Sequence, residues 1–299
     1  MRILLHSTFR ALYQRLAEAW VEQFEKAGHE AAWQDLCVDP SGNVWAPPGA
    51  QLHLYLGGLS MLQALAAAPS LPPGRQVLWL FEPLTHPEEP GLHGDKTRLL
   101  HTVAPRFHGF LAMDLAVAVH LRRHFPSIPV AEQPYVIAGR HLREPLADGA
   151  REIDVLMLGR SSPRRLESEA HFRAAGLDAR FVWGGFYGEA RYDLWARSRI
   201  NLNVHRELPA HFDRVRSFEA WAAGCPVVAE DSPDLPASGV VEGLHLVAGP
   251  LEELPARCAG LLGDLQARQR LARSGQALLR EAYLPEHWRG PLVSFLSSL

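Results

Sequence analysis

Lysine is nearly absent from this chain: Lys26 and Lys96 are the only lysines among 30 Lys and Arg residues. Any cation set against a phosphate is therefore almost always an arginine, whose planar fork grips oxygens bidentately. Cysteine is scarce as well. Cys37, Cys225 and Cys258 lie far apart with no CxxC spacing, which excludes a disulfide framework and a zinc knuckle and predicts buried free thiols. No apolar run reaches the ~18 residues of a membrane span, and the opening MRILLHSTF has neither the length nor the flanks of a signal peptide. Those absences predict a soluble cytoplasmic protein with no membrane span. A large charge of one sign is missing too. The net charge is -3 at pH 7, so the overall balance calls for neither nucleic acid nor an anionic membrane.

Several chemical signatures are also lacking. There is no GxGxxG after the first strand, no GxxxxGK[ST] and no GxSxG, which weighs against a dinucleotide dehydrogenase, a P-loop NTPase and an α/β-hydrolase. Neither HExxH nor Asp-x-Asp occurs, and the 15 histidines show no metal-ligand spacing, so neither a metal site nor a bound cofactor is expected.

What is present is an ordinary globular composition, 47% hydrophobic and 21% charged, in 299 residues, enough for about two domains. Strands are predicted at 2–6, 31–36, 51–56, 77–81 and 107–113, with helices over 12–28 and 115–125. Residues 136–152 are turn-rich and charged, and read as a linker. The pattern then restarts. Strands are predicted at 154–159, 179–183, 200–205, 226–230 and 244–248, and helices at 165–175, 191–199, 214–223, 250–262, 264–282 and 286–298. Strands alternating with helices imply an α/β class with parallel sheets, here in two domains of about 1–140 and 150–285 facing across a cleft. Ligands in such sheets sit at the carboxyl ends of the strands, near the point where strand order reverses.

The most informative segment is 199–230, RINLNVHRELPAHFDRVRSFEAWAAGCPVVAE. A buried strand ends in a polar loop, and the loop enters a helix with Asp213 as its N-cap and Arg216 and Glu219 three residues apart on one face. The loop and helix start offer unpaired N–H groups and partial positive charge, which suit a phosphate. A carboxylate one to two turns into the helix can accept hydrogen bonds from the vicinal hydroxyls of a ribose. The same pattern also fits a surface helix bearing an Arg–Glu pair.

The segment resembles the nucleotide-sugar site of GT-B glycosyltransferases, most closely the CgeB-like and GT4-like (glycosyl transferases group 1) branches. The resemblance rests on Leu202-Asn203 and His205, then Arg216-Ser217-Phe218-Glu219, Ala222-Ala223-Gly224 and the apolar run 226–228. It implies two Rossmann-like, doubly wound domains in the GT-B arrangement, with the last helix, about 286–299, packing back on the N-terminal domain. It also implies a nucleoside-diphosphate sugar as donor. Glu219 falls on the second of two glutamates eight residues apart in GT4-like enzymes, which implies that it holds the ribose. His211 stands in place of the first and is a catalytic candidate. The strand DVLMLG ends in Gly159 followed by Arg160, Arg164 and Arg165, which the resemblance assigns to the donor diphosphate.

Gly184, in the Gly-rich turn after the next strand, is placed near the base, with His205 and Arg216 completing the donor set. In the N-terminal half, Glu82 and His86 follow a strand end and are candidates to orient or deprotonate an acceptor hydroxyl. The reading is thus a metal-independent, retaining glycosyltransferase with an unknown acceptor. Two alternatives stay open, a non-catalytic nucleotide-sugar-binding protein on the same fold and a GT-B-fold sugar epimerase.

Overall fold

The computed structural model describes residues 1–8, 10–84, 91–184, 186–208 and 210–299. The chain forms two compact units, Met1–Val136 together with Pro285–Leu299, and Ile137–Leu284. His86 lies outside the described residues. Among the described residues no helix is long and apolar enough to cross a membrane.

The first unit is built on a parallel sheet. Its strands are β1 (Arg2–Ser7), β2 (Glu30–Asp35), β5 (Leu52–Gly57), β6 (Arg75–Leu80), β7 (Gly109–Ala112) and β8 (Val130–Glu132), in the order β2-β1-β5-β6-β7-β8. A small antiparallel hairpin, β3 (Cys37–Val38) with β4 (Val44–Trp45), projects after β2. Helices α1 (Arg10–Lys26), α2 (Leu59–Ala67), α3 (Leu92–Val103) and α4 (Leu115–His124) provide the crossovers. A parallel sheet covered on both faces needs strands apolar on both sides, which is why β5 is buried along its whole length. Leu78, Leu80, Phe110, Met61, Leu65, Leu100 and Leu121 form one core cluster between sheet and helices.

Two histidines close the β1–β5 seam. His6 Nε2 lies 3.0 Å from His53 Nδ1, and His53 Nε2 lies 3.1 Å from the Pro73 carbonyl oxygen. A carbonyl only accepts, so His53 carries its proton on Nε2 and His6 donates through its own Nε2. Burial, followed by the neighbouring His53, pushes the His6 pKa down to about 3. This ring is neutral and fully engaged, a structural histidine. The folded pKa is depressed, so the unfolded chain binds the extra proton below pH ~6.5, and stability falls as pH drops from there towards 3. Between pH 7.5 and pH 5 this contribution amounts to about 2 kcal/mol. Urea unfolding of the parent and of His6→Gln at both pH values reads it, and an equal pH slope in the two proteins refutes it.

The second unit repeats the logic with β9 (Ile153–Gly159), β10 (Ala179–Trp183), β11 (Ser198–Asn203), β12 (Val227–Glu230) and β13 (Leu246–Gly249), all parallel, in the order β10-β9-β11-β12-β13. Ile200 of β11 sits opposite Val155 of β9. Helices α5 (Pro163–Ala174), α6 (Glu189–Ala196), α7 (Arg214–Ala222), α8 (Leu254–Gly263) and α9 (Leu265–Ala282) cover both faces. Val155, Met157, Phe172, Ile200, Leu202, Val228 and Leu254 form the core. Gly224 ends α7 at φ +76°, and a Cβ there would lie 2.8 Å from the Pro145 Cα, so a side chain is barred by both strain and contact. The chain finally returns to the first unit as α10 (Pro285–Ser298), which packs on α1.

Several details differ from the sequence expectation. Helices α2 and α3, strand β8 and the β3–β4 hairpin are additional elements. The helix expected at 191–199 begins at Glu189 and stops at Ala196, and the following strand starts at Ser198. Cys225 and Cys258 are buried thiols as expected, but Cys37 is exposed. It stands on a two-residue strand whose residues are both exposed, and its thiol donates to the Asp35 carbonyl at 3.3 Å.

Candidate functional site

The chain leaves β9 for β10 on one side and later adds β11 on the other, so strand order reverses between β9 and β11. A crevice is expected beyond the carboxyl ends of these two strands. Arginines gather there. Arg165 enters from the first turn of α5, whose N-cap Ser162 accepts from the Arg165 N–H. Its guanidinium donates to the Val204 carbonyl at 3.0 Å through Nε and to the Arg160 carbonyl at 2.8 Å through Nη1. Arg216 enters from the first turn of α7. It donates to Asp213 Oδ2 at 2.7 Å and, through Nη1, to the Leu158 carbonyl at 3.0 Å. Asp213 is thus both the N-cap of α7 and the clamp of Arg216.

Gly159 makes this convergence possible. A Cβ there would lie 2.8 Å from Arg165 Nη1 and 3.3 Å from Arg216 Nη1, so two guanidinium groups occupy the space a side chain would fill. Two like charges so close, one of them only 5% exposed, disfavour each other. Burial, then Arg216, with Arg206 adding, pushes the Arg165 pKa down to about 9 against the opposing pull of Asp213. Burial raises the Asp213 carboxyl, but the Arg216 charge and hydrogen bonds outweigh it and leave Asp213 below its usual range.

Arg164 and Arg216 have carboxylate partners, Glu230 and Asp213. Among the described residues no carboxylate pairs with Arg160, Arg165 or Arg206. The edge therefore carries surplus positive charge, part of it desolvated, in a form that attracts an anion. Arg206, exposed at the end of the β11 loop, is the one member of this cluster that the motif reading did not single out. No local signal marks it, because only the neighbouring Arg165 ties it to the site.

The other candidates of the second unit hold separate positions. Arg160 is exposed and lends its carbonyl to Arg165. Arg164 Nε donates to Glu230 Oε1 at 2.9 Å, and Glu230 Oε2 accepts from the His205 N–H at 3.0 Å, so Arg164 is committed to a buried carboxylate. The His205 ring is buried and donates through Nε2 to the Asp231 carbonyl at 3.0 Å. Gly184 adopts φ +80°, and its N–H donates to the Gly159 carbonyl at 2.8 Å, tying the turn after β10 to the end of β9. Phe186 on that turn is exposed.

Glu219 lies deeper. It is 1% exposed and pairs with Arg191 of α6, itself buried and stacked over the Trp195 ring. His211 is half-buried, its Nδ1 4.0 Å from Asp234 Oδ2. Glu82 belongs to the first unit. Lys96 Nζ, buried, lies 3.1 Å from its Oε2, and the carboxylate is pressed against Gly58 at the end of β5. The buried Tyr13 phenol is raised well above its usual pKa by burial and then by Glu82. Among the described residues no three His, Cys, Asp or Glu side chains gather in a way that would hold a metal ion.

Residues 145–293 match the family described as Glycosyl transferase-like. The fold of the whole chain is similar to that of HepE from Anabaena, solved in complex with UDP and glucose, at 14% identity and a TM-score of 0.69, with 100% of both chains covered. It is also similar to sucrose-phosphate synthase from Thermosynechococcus elongatus, at 13% identity and a TM-score of 0.65, over 100% of this chain and 99% of that one. TarM of S. aureus is similar at 8% identity and a TM-score of 0.59, over 81% of this chain and 55% of its own. No curated protein matches the chain. At such identities the structural likeness establishes the fold, a mixed α/β chain with two parallel sheets that matches GT-B glycosyltransferases.

Proposed function

Through residues 145–293 the chain belongs to the glycosyl transferase-like family, and from that membership we propose that the arginine edge of the second unit seats the diphosphate of a nucleoside-diphosphate sugar. The protein is a glycosyltransferase. One observation carries the reading of the site: Arg165 and Arg216 converge on Gly159 at the β9–β11 switch point without enough carboxylate to neutralise the cluster. A diphosphate supplies the missing negative charge. Its charge grows as the sugar leaves, so guanidinium groups fixed by carbonyls stabilise the transition state more than the ground state. Arg160 and Arg206, exposed at the rim, complete the cradle. The aromatic turn at Gly184 and Phe186 offers a face for the base. HepE, solved with UDP and with UDP-glucose, makes UDP-sugars the first donors to try.

A thermal-shift series with UDP, GDP, dTDP and ADP tests this directly. One of them at 100 times its dissociation constant adds roughly 2.7 kcal/mol of stability. No shift with any of the four, at millimolar ligand, overturns the donor reading.

The positive charge on the diphosphate comes from arginines in this scheme, so no divalent ion is required and no cofactor is involved beyond the donor itself. Donor turnover is expected to survive excess EDTA within about twofold, since the guanidinium cradle supplies the electrostatic stabilisation. Loss in EDTA with recovery on adding Mg²⁺ or Mn²⁺ removes the arginine-only scheme. Resemblance to GT4-like enzymes supports transfer with retention, and NMR of the first-formed product assigns the anomer. Inversion places a general base opposite the leaving group, for which Glu82 and His86 are the first residues to replace.

A further inference from the structure

The amino edge of the second sheet, where β11 begins at Ser198 and β12 at Val227, carries another group of arginines. It lies one strand length, ~20 Å, from the arginine edge at the carboxyl ends. A cavity of about 260 Å³ opens there, walled by the segment 144–151, the start of β11 and the first half of α9. Arg151, Arg199, Arg268 and Arg273 all stand on its wall. Arg151 is 6% exposed, and its fork is spread over three carbonyl oxygens, of Leu146 at 3.3 Å, Ser198 at 2.5 Å and Gly224 at 2.8 Å. Among the described residues no carboxylate pairs with it. Arg268, equally buried, donates through Nη2 to both oxygens of Asp148 at 2.9 Å and through Nη1 to the Leu261 carbonyl at 2.8 Å. Its Nε is buried and makes no hydrogen bond among the described residues. Arg199 shares Asp148, at 3.7 Å, and pairs with Asp154. Arg273 is exposed and donates to the Gln269 side-chain oxygen at 3.2 Å. Against these four cations stand Asp148, Asp154 and Glu144, so one positive charge is left over.

We propose that this cavity binds a small anion bearing a phosphate group, at a site separate from the donor edge. Guanidinium forks match phosphate oxygens bidentately. A fork already held by three carbonyls has given up its rotamer freedom, so a ligand does not have to order it. A buried N–H without an acceptor is costly, and an anionic oxygen is the kind of partner that Arg268 Nε lacks. Size narrows the class. The cavity has room for roughly eight waters, more than a bare phosphate fills. It falls short of the ~300 Å³ at which sites for drug-sized ligands begin, so it is too small for a nucleoside diphosphate. What fits is free phosphate or the phosphate ester of a small polyol, with Leu146, Leu265 and Ala272 offering an apolar wall to the carbon chain. No residue is shared with the donor edge, so the inference stands apart from the donor reading.

The test is titration calorimetry on the full chain with inorganic phosphate and with glycerol 3-phosphate, each with and without saturating UDP, in the parent, Arg273→Glu and Glu144→Gln. Both side chains are exposed, so both variants are expected to melt with the parent. The parent is expected to bind one equivalent of a probe at millimolar concentration, and UDP is expected to leave that site open. Arg273→Glu is expected to weaken it about 10–100-fold, the scale of one lost charge-assisted hydrogen bond. Glu144→Gln removes an exposed carboxylate from the wall and is expected to tighten it about twofold to fivefold. Tighter binding of glycerol 3-phosphate than of phosphate assigns the site to an ester, and the reverse order assigns it to the free ion; both support the site. No binding of either probe at millimolar concentration overturns the inference. Complete displacement of both probes by UDP also overturns it, because the anion then sits on the donor edge. Affinity unchanged in both variants overturns it as well and leaves the four arginines as clamps of the segment 144–151. A parent that ignores UDP but binds a probe with these variant effects removes the donor site and keeps this one.

Discussion

Methionine in place of Arg165 is expected to give a protein that melts within a few degrees of the parent yet consumes donor about 10²–10³ times more slowly. Arg165 is almost fully buried, its guanidinium is bonded to two carbonyl oxygens, and Arg216 lies against the same glycine. Burial and the neighbouring charge push its pKa down to about 9, which means that the unliganded fold holds this cation at a loss of several kcal/mol. Methionine keeps the apolar stem and forfeits two hydrogen bonds from a charged donor, each worth about 1.5–3 kcal/mol, a loss of the same size. The two nearly cancel in the absence of ligand, and ligand tips the balance to the parent. Calorimetric melting of both proteins, with and without UDP, and steady-state release of UDP together decide it. If the variant melts several degrees lower while turnover is kept, the cluster is a structural clamp and the electrostatic role assigned to it is wrong.

The second large effect runs the other way. Glu219→Ala is expected to lower stability by about 3–5 kcal/mol, because it removes the charged partner of a buried guanidinium. The family resemblance places Glu219 on a helix face as a ribose ligand, and with that placement the fold would tolerate its removal. The structure puts it 1% exposed in an ion pair with Arg191, which is itself sunk against Trp195. Removing one partner of such a pair costs far more than the pair contributes. Arg191→Met introduced together with Glu219→Ala is expected to recover most of the loss, and urea titrations of the two single variants and the double variant give the coupling energy. Additive losses would show that the two side chains do not act as a pair. Donor affinity is better read in Glu219→Gln, which keeps the packing and removes only the charge.

How far these features could be read from residues alone depended on distance along the chain. The apolar runs that became β1, β5, β6, β9 and β12 are legible because strands buried on both faces have no competing periodicity. Helix α2 is not, since LSMLQALAA is apolar nearly all round and offers no polar stripe to time its turns. Helix α3 is obscured for the opposite reason, a sequence rich in His, Asp, Lys and Thr with a glycine inside it. At the site, local signals worked where the physics is local: Asp213 caps α7 through the Arg216 N–H, as its type and position predict. The partners of Glu219, Arg164 and His211 lie 23 to 66 residues away in sequence and are set by the order of strands in the sheet. A single sequence carries no mark of them.

The return of α10 to the first unit has a consequence for how the protein is made. Leu292 and Leu296 are buried, the Arg75 guanidinium reaches the Leu296 carbonyl, and Gly109 of β7 has Leu299 and Phe295 pressed against its Cα. The first unit therefore lacks a wall until residues 285–299 have left the ribosome. The second unit, Ile137–Leu284, has by then all of its own strands and helices. At a synthesis rate of roughly 5–20 residues per second, the half translated first waits roughly 10–30 seconds, with one flank of its sheet open, for the half translated second. Completion thus runs against the order of translation, and a nonsense codon just before Pro285 would strip the wall from the N-terminal unit while sparing every residue of the arginine edge.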